Sequence, residues 1–197
     1  MKFKFFGTEI YVSFLFCAVL CCMLLIDRTG LVLPTFFAVF IHETGHILAM
    51  WASDCQPKAI RLIPTSVQIT RSFSCKKRGE FAITLCGPLF NLVVFGVLLA
   101  NYSLFKNEQS LHFAILNLVI AIFNLLPIAG LDGGMLLSLL LSRFLDIYKS
   151  ESIVRIIGVV FGFFTFIFGV YLWVSETMNI SVFFIAIYFI ICSLIKK

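Results

Sequence analysis

Six long apolar runs take up most of this 197-residue chain and constrain its fold more than any other feature. Hydrophobic residues make up 61% of the sequence and charged residues only 13%, whereas soluble domains are about 25% charged. A helix needs about 20 mostly apolar residues to span a bilayer. The pattern predicts an all-α polytopic membrane protein, forming one domain over residues 1–197. Its six predicted transmembrane helices lie at about 10–26, 31–50, 80–101, 111–142, 153–174 and 180–195.

The basic residues lie mainly in the segments between these runs. If the N-terminus is cytoplasmic, all but two of the 15 lysines and arginines fall on the cytoplasmic side, the exceptions being Arg28 and Lys106. This asymmetry follows the positive-inside rule and predicts that both termini are cytoplasmic. It also assigns the net charge of +5 to topology, not to nucleic-acid binding. The first run lacks a small-residue cleavage site, so we expect it to remain as an uncleaved span.

The second run contains His42, Glu43 and His46 in the pattern H-E-x-x-H. Positions i and i+4 share one face of a helix, so the two imidazoles can bind one zinc ion. Glu43 is adjacent and is not needed as a ligand, so it can act as a general base. Ionisable residues inside a span are costly and indicate function. A hydrogen-bonded cluster between helices and a proton relay are the alternatives.

A third ligand is expected in another span, because catalytic zinc sites usually have three protein ligands and a water. Asp132, in the fourth run, is the one other deep carboxylate. Proline and glycine residues predict that this helix is broken near 127–134, and irregular backbone at membrane depth requires a covering of protein or a watery cavity. A kink with a hydrated aspartate is the alternative. Counted along their spans, His46 and Asp132 both lie in the cytoplasmic half of the membrane.

Residues 58–72, between the second and third runs, alternate apolar and polar residues on either side of a turn at 64–66. This pattern predicts a short membrane-associated β-hairpin. Its edge could pair with an unwound substrate peptide. A basic loop held near anionic lipid headgroups is the alternative.

Three motifs on successive runs resemble the site-2 protease family of intramembrane zinc metalloproteases (peptidase family M50). The similarity is strongest to its compact bacterial branch, which includes the stage IV sporulation protease. The motifs are HETGH at 42–46, GPLFN at 87–91 and N-x-x-P-x-x-x-L-D-G-G at 124–134. The order and spacing of three motifs make this resemblance far more specific than H-E-x-x-H alone.

The resemblance implies one zinc ion per chain and a defined set of site residues. It implies that the zinc ligands are His42, His46 and Asp132, and that Glu43 is the catalytic acid/base. It further implies that three residues support the active-site cleft: Asn91, Asn124 and Pro127. The expected reaction is hydrolysis of a peptide bond within or near a transmembrane segment of another protein, in regulated intramembrane proteolysis.

The resemblance also implies where the protein acts and with what. We expect a multi-pass protein of a bacterial cell membrane, whose partners are the lipid bilayer, a transmembrane substrate and membrane proteins that regulate or inhibit it. The branch suggests a role in sporulation, and we expect no PDZ or CBS domain. Alternatives are a zinc hydrolase of a lipid amide, a zinc or proton transporter, and a catalytically silent relative. A transporter would be expected to show inverted repeats, which this sequence lacks.

Overall fold

The computed structural model describes residues 2–5, 8–53, 55, 57–63, 66–71, 77–175 and 180–194. Within this part of the chain there are seven α-helices and four β-strands. The chain divides into two compact units, residues 1–122 and residues 123–197. Helix predominates, as the apolar runs predict.

The first unit contains one sheet, with the strand order β1-β2-β3-β4. The strands are β1 (Lys2–Phe5), β2 (Thr8–Val12), β3 (Pro57–Ile63) and β4 (Ser66–Arg71). The outer pairs are antiparallel, whereas β2 and β3 run parallel. Strands β3 and β4 lie where a hairpin was predicted, and residues 64–65 and 72 of that prediction fall outside the described residues. The N-terminal strands that extend this sheet were not predicted.

The predicted first span, 10–26, is wrong at its start. Residues 10–12 belong to β2, and helix α1 covers only Phe14–Ile26. The sequence TEIYV is rich in β-branched and aromatic residues, which favour strands, and it pairs with β1 on one side and β3 on the other. At 13 residues, α1 is about 20 Å long, shorter than the roughly 30 Å hydrocarbon core of a bilayer.

Helix α2 (Val32–Ala52) begins at a hydrogen-bonded turn. Oδ2 of Asp27 accepts a hydrogen bond from the backbone N–H of Val32, and Oδ1 accepts bonds from Thr29 and Gly30. These bonds, led by the one from Val32, lower the pKa of Asp27 from 3.8 to about 2. The Asp27 turn therefore fixes the N-terminus of the helix that carries the H-E-x-x-H motif.

The remaining helices correspond to the later predicted spans, with shifted ends. They are α3 (Lys77–Phe105), α4 (Glu108–Asn124), α5 (Asp132–Leu141), α6 (Ile147–Val174) and α7 (Ile180–Leu194). The predicted fourth span is divided into α4 and α5 by an irregular segment at 125–131. The break was predicted near 127–134, and it begins and ends a few residues earlier. Tertiary packing of the two glycines after Asp132 keeps them helical, against their low helix propensity.

Three of the described helices are long and apolar enough to cross a membrane, namely α2, α6 and residues 79–105 of α3. Helices α1, α5 and α7 are shorter and also apolar. Large side chains on α6, including Phe163, Phe164 and Phe168, are exposed. Exposed apolar surface of this extent suits contact with lipid and not with water. The chain is therefore a membrane protein.

Candidate metal centre

Two histidine side chains lie one turn apart on the buried face of α2. His42 is 5% exposed and His46 is 8% exposed. Their Nε2 atoms are 3.2 Å apart, and the two rings are nearly perpendicular, at 84°. A tetrahedral ion bonded to both nitrogens at about 2.0–2.1 Å would hold them about 3.3–3.4 Å apart. The pair therefore has the spacing of two ligands on one metal ion.

The other ring nitrogen of each histidine lies against an acceptor on α3. Nδ1 of His42 is 2.9 Å from Oδ1 of Asn91, and Nδ1 of His46 is 2.8 Å from the backbone oxygen of Ile83. A backbone carbonyl can only accept, so Nδ1 of His46 donates, and in the neutral ring its Nε2 carries the lone pair. Histidines that bind metal ions typically donate their second N–H to such a partner.

Helices α2 and α3 come this close because glycine residues stand where they touch. A Cβ atom on Gly87 would collide with the imidazole of His46, and one on Gly45 would lie 2.6 Å from the carbonyl oxygen of Cys86. Gly87 and Asn91 are four residues apart on α3, as the two histidines are on α2, so each pair occupies one face of its helix. The HETGH and GPLFN motifs are therefore complementary surfaces of two packed helices.

Asn91 is the centre of a buried amide cluster. Its side chain is 0% exposed, and its Nδ2 donates to the backbone oxygen of Ala38 and to Oδ1 of Asn117, each at 2.9 Å. Asn117, on α4, is also 0% exposed and was missed by the sequence analysis. The signal that could have found it is an amide side chain inside an apolar helix, which needs a hydrogen-bond partner.

Glu43 lies beside the histidine pair in the sequence of α2 and is partly buried. It follows His42 directly, so it is displaced by about 100° around the helix axis from that residue. Glu43 therefore lies on the same helix as both imidazoles, beside the helix face that carries them.

Asp132 is the first residue of α5, in the second unit. It is partly buried and follows the irregular segment 125–131. Backbone hydrogen bonds shape this segment: Leu126 N–H to Phe123 oxygen, Ile128 N–H to Leu126 oxygen, and Leu131 N–H to Ile128 oxygen. The carboxylate therefore stands where the helix resumes after a compact turn.

The two glycines that follow Asp132 hold α5 against that turn. A Cβ atom on Gly133 would collide with the backbone carbonyl of Leu125, and one on Gly134 with the backbone carbonyl of Ile128. Ile128 is itself fully buried. Only glycine allows the start of α5 to approach the preceding backbone this closely, so the L-D-G-G sequence determines where Asp132 stands.

The remaining predicted site residues lie at the start of this turn and inside it. Asn124 ends α4 and Pro127 lies within the irregular segment, and both are partly buried. Their roles in a cleft, like that of Asn91, stay predictions.

Comparison with known proteins places these features in a family context. The family model described as Peptidase family M50 matches residues 107–168. The chain is 30% identical over 139 residues to a zinc metalloprotease of Methanocaldococcus jannaschii, an alignment that covers 68% of this chain and 41% of that protein. It is 34% identical over 119 residues to stage IV sporulation protein FB of Bacillus subtilis, covering 58% of this chain and 41% of that protein. The chain thus spans 41% of the length of each relative.

A solved structure also has the same fold. The site-2 protease from Methanocaldococcus jannaschii matches 100% of this chain and 97% of its own chain, with a TM-score of 0.71 and 24% sequence identity. The fold is therefore that of the site-2 protease. Together with the family match, this likeness confirms the resemblance that the three motifs predict.

Proposed function

We propose that this chain belongs to peptidase family M50 and is an intramembrane zinc metalloprotease. In this proposal it hydrolyses a peptide bond within or near a transmembrane segment of a substrate protein. The observation that carries the proposal is the buried histidine pair, with Nε2 atoms 3.2 Å apart and Nδ1 atoms bonded to α3. Two imidazoles so oriented inside an apolar helix fit a metal ion better than they fit a packing role.

The proposed ligands of the ion are His42, His46 and Asp132. Two nitrogens and one carboxylate oxygen form a donor set suited to catalytic zinc, which leaves a fourth position for water or substrate. The position of Asp132 at the start of a helix, held by Gly133 against the preceding turn, supports a fixed carboxylate. Asn124 and Pro127 are proposed to shape the cleft beside it.

The proposed catalytic residue is Glu43. Zinc, when bound, acts as a Lewis acid that polarises a carbonyl and activates water. Glu43 takes the proton from the attacking water and gives it to the leaving amine. Because α2 carries the glutamate and both histidines, the base and two of the ligands keep a constant relative position. The apolar surroundings admit only peptide bonds that reach membrane depth.

The proposed substrate is a transmembrane helix, whose backbone is fully hydrogen-bonded in lipid. The scissile bond must therefore unwind before it can be attacked, so helix-breaking residues in the substrate favour cleavage. We propose that β3 and β4 associate with the membrane surface and that a strand at the edge of the sheet pairs with the unwound segment.

The proposed setting is a bacterial cell membrane with six spans and both termini in the cytoplasm. The distribution of basic residues supports this orientation, which places the site toward the cytoplasmic half. Cleavage there releases a cytoplasmic fragment. The similarity to stage IV sporulation protein FB supports a role in sporulation, with membrane proteins as regulators or inhibitors.

Co-expression tests the proposed activity. The chain is produced together with a single-pass membrane protein that carries glycine and proline in its span and a tag at each end. We expect wild type to produce two fragments, and we expect Glu43→Gln to lower cleavage by about 10²–10⁴-fold, the range for a lost general acid/base. Glu108→Gln, an exposed change of the same kind in the first turn of α4, is the matched control and should cleave normally.

Zinc content separates the proposed catalytic role of Glu43 from the proposed ligand role of Asp132. Purified Glu43→Gln should retain zinc, whereas Asp132→Asn should lose zinc and cleavage together. Undiminished cleavage in Glu43→Gln would contradict the protease mechanism. Equal zinc affinity with and without the Asp132 carboxylate would contradict the ligand assignment alone.

A further inference from the structure

We infer that Asn117 and Asn91 form a positioning relay that keeps a proton on Nδ1 of His42 and so presents its Nε2 to the metal. The inference deepens the proposed function and rests on it, since the metal site is its premise. It concerns residues of α2, α3 and α4 that all lie in the first unit. Asn117 has no place in the three sequence motifs, and its role follows from the hydrogen bonds alone.

The relay starts at a backbone carbonyl on α4. Nδ2 of Asn117 donates to the oxygen of Phe113 at 2.8 Å. A backbone oxygen can only accept, so this bond fixes which end of the Asn117 amide carries the nitrogen. Its Oδ1 is therefore the end that lies 2.9 Å from Asn91.

The orientation of the Asn91 amide is fixed by its acceptors in the same way. Its Nδ2 has two acceptors, Oδ1 of Asn117 and the backbone oxygen of Ala38, each at 2.9 Å. The two N–H groups of one amide nitrogen are thus both used. The reverse orientation would place the amide oxygen against two other oxygens, so Oδ1 of Asn91 must be the atom that lies against the imidazole.

The third step determines the tautomer of His42. The amide oxygen of Asn91 is an acceptor 2.9 Å from Nδ1, so the ring must donate from Nδ1. In the neutral ring the lone pair is then on Nε2, the atom that lies 3.2 Å from Nε2 of His46. The Nε2 atoms of both histidines therefore carry lone pairs, and these two atoms lie side by side.

The two histidines have acceptors of different kinds, and only the acceptor of His42 has to be held in one orientation. His46 donates directly to the backbone oxygen of Ile83, which has no alternative orientation. His42 instead meets a side-chain amide, which could rotate by 180° and offer a donor. The Ala38 carbonyl and Asn117 remove that freedom. Because Asn91 and Asn117 are both 0% exposed, a rotated amide would leave buried polar atoms without partners, which is costly.

Zinc affinity and the tautomer of the metal-free ring test the relay in the full chain, purified in detergent. We expect Asn91→Leu to weaken zinc binding by about 10–100-fold, the usual range for loss of a residue that orients a ligand. Asn117→Leu should weaken it several-fold, because the Ala38 carbonyl still orients Asn91. Asn101→Leu is the matched control: Asn101 also joins α3 to α4, through Ser110, and its loss should leave zinc affinity within about twofold, as expected for a site away from the ligands.

Nitrogen-15 NMR of the imidazoles is the readout that a merely structural role would not change. The chain has only three histidines, and His112, which is exposed, serves as an internal reference. In metal-free wild type, His42 should carry its proton on Nδ1, and in Asn91→Leu it should become a mixture of tautomers. If Asn91→Leu does not fold, Asn117→Leu carries the test with the same two measurements.

Two results would overturn the relay: a proton on Nε2 of His42 in the metal-free chain, or zinc affinity in the Asn91 and Asn117 variants equal to that of Asn101→Leu. These results are distinct from a failure of the proposed function. A wild-type chain that binds no zinc would contradict the metal site, whereas either of the two results above, in a wild-type chain that binds zinc, would contradict the relay alone.

Discussion

The histidine pair and Asp132 are held in place by different means. His42 and His46 stand inside a continuous helix, and side-chain and backbone acceptors on α3 orient their rings. Asp132 stands at the start of a helix that follows a break, and its position follows from the backbone shape of 125–131 and the glycine contacts after it. One region is positioned by hydrogen bonds to a neighbouring helix, and the other by close packing of its own chain.

This difference predicts different sensitivities to substitution. A hydrogen bond to an imidazole can be lost while the helix keeps its course, so changes around the histidines should affect metal affinity more than folding. Backbone packed on backbone cannot yield without moving the chain. Changes around Asp132 should therefore affect folding and activity together.

The largest effect is expected for Gly133→Ala. The new methyl group would collide with the carbonyl of Leu125, and because that obstacle is backbone, α5 itself must move. We expect a loss of stability of about 3 kcal/mol, at the upper end of overpacking costs, together with loss of zinc and of cleavage. Thermal unfolding in detergent and zinc content measure both effects.

Gly96→Ala is the control for this change. Gly96 lies in α3 with nothing within 4 Å of the added Cβ atom, so alanine should be neutral or slightly stabilising there. A Gly133→Ala chain as stable and as active as Gly96→Ala would show that close packing does not hold Asp132.

A more selective effect is expected for Gly87→Ala. Its methyl group would meet the imidazole of His46, a side chain that can turn aside while both helices remain. We expect zinc affinity to fall at least about tenfold, in the range seen when the support of a ligand is disturbed, with a smaller loss of stability than for Gly133→Ala. Chelator competition measures the affinity, and Gly96→Ala on the same helix is again the control. Equal losses of stability in Gly87→Ala and Gly133→Ala would contradict the proposed difference between the histidine pair and Asp132.

The smallest effect is expected at the start of α2. The folded pKa of Asp27 is lowered from 3.8 to about 2 by its hydrogen bonds, led by the one from Val32. Its ionised form therefore adds stability above about pH 4, and this contribution is lost as the pH falls towards 2. Asp27→Asn should lower the melting temperature slightly at pH 7 and flatten its dependence on pH between about 4 and 2. Zinc binding and cleavage should persist.

Asp146→Asn is the matched control for the Asp27 change. Asp146 stands before α6 and makes no capping hydrogen bond with its side chain. A change in the pH dependence of stability as large as that of Asp27→Asn would argue against the capping role of Asp27.

The features predicted best from the sequence are those encoded within one helix. The spacing of His42 and His46, the adjacent Glu43 and the interruption before Asp132 all follow from helical geometry and from the cost of polar groups in lipid. Each of these inferences depends on residues a few positions apart, which local patterns can show.

The features that were missed depend on contacts between distant parts of the chain. Asn117 is 26 residues from Asn91, and no local pattern joins two amides on separate helices. Strand β2 pairs with β3 across some 50 residues, so an apolar stretch at 10–12 was assigned to a helix. Gly133 was predicted to loosen its helix, whereas packing against Leu125 keeps it helical. In each case tertiary structure decides what propensity alone leaves open.

X-ray absorption spectroscopy of the zinc-loaded chain tests the central claim most directly, because it reports the ligands of the ion. For wild type, the proposed site predicts two imidazole nitrogens and one carboxylate oxygen among the ligands. The ligands should be unchanged in Glu43→Gln, whereas Asp132→Asn should retain too little zinc to give this spectrum. A ligand environment unchanged by Asp132→Asn, or one containing a single imidazole, would contradict a metal centre built from the histidine pair and Asp132.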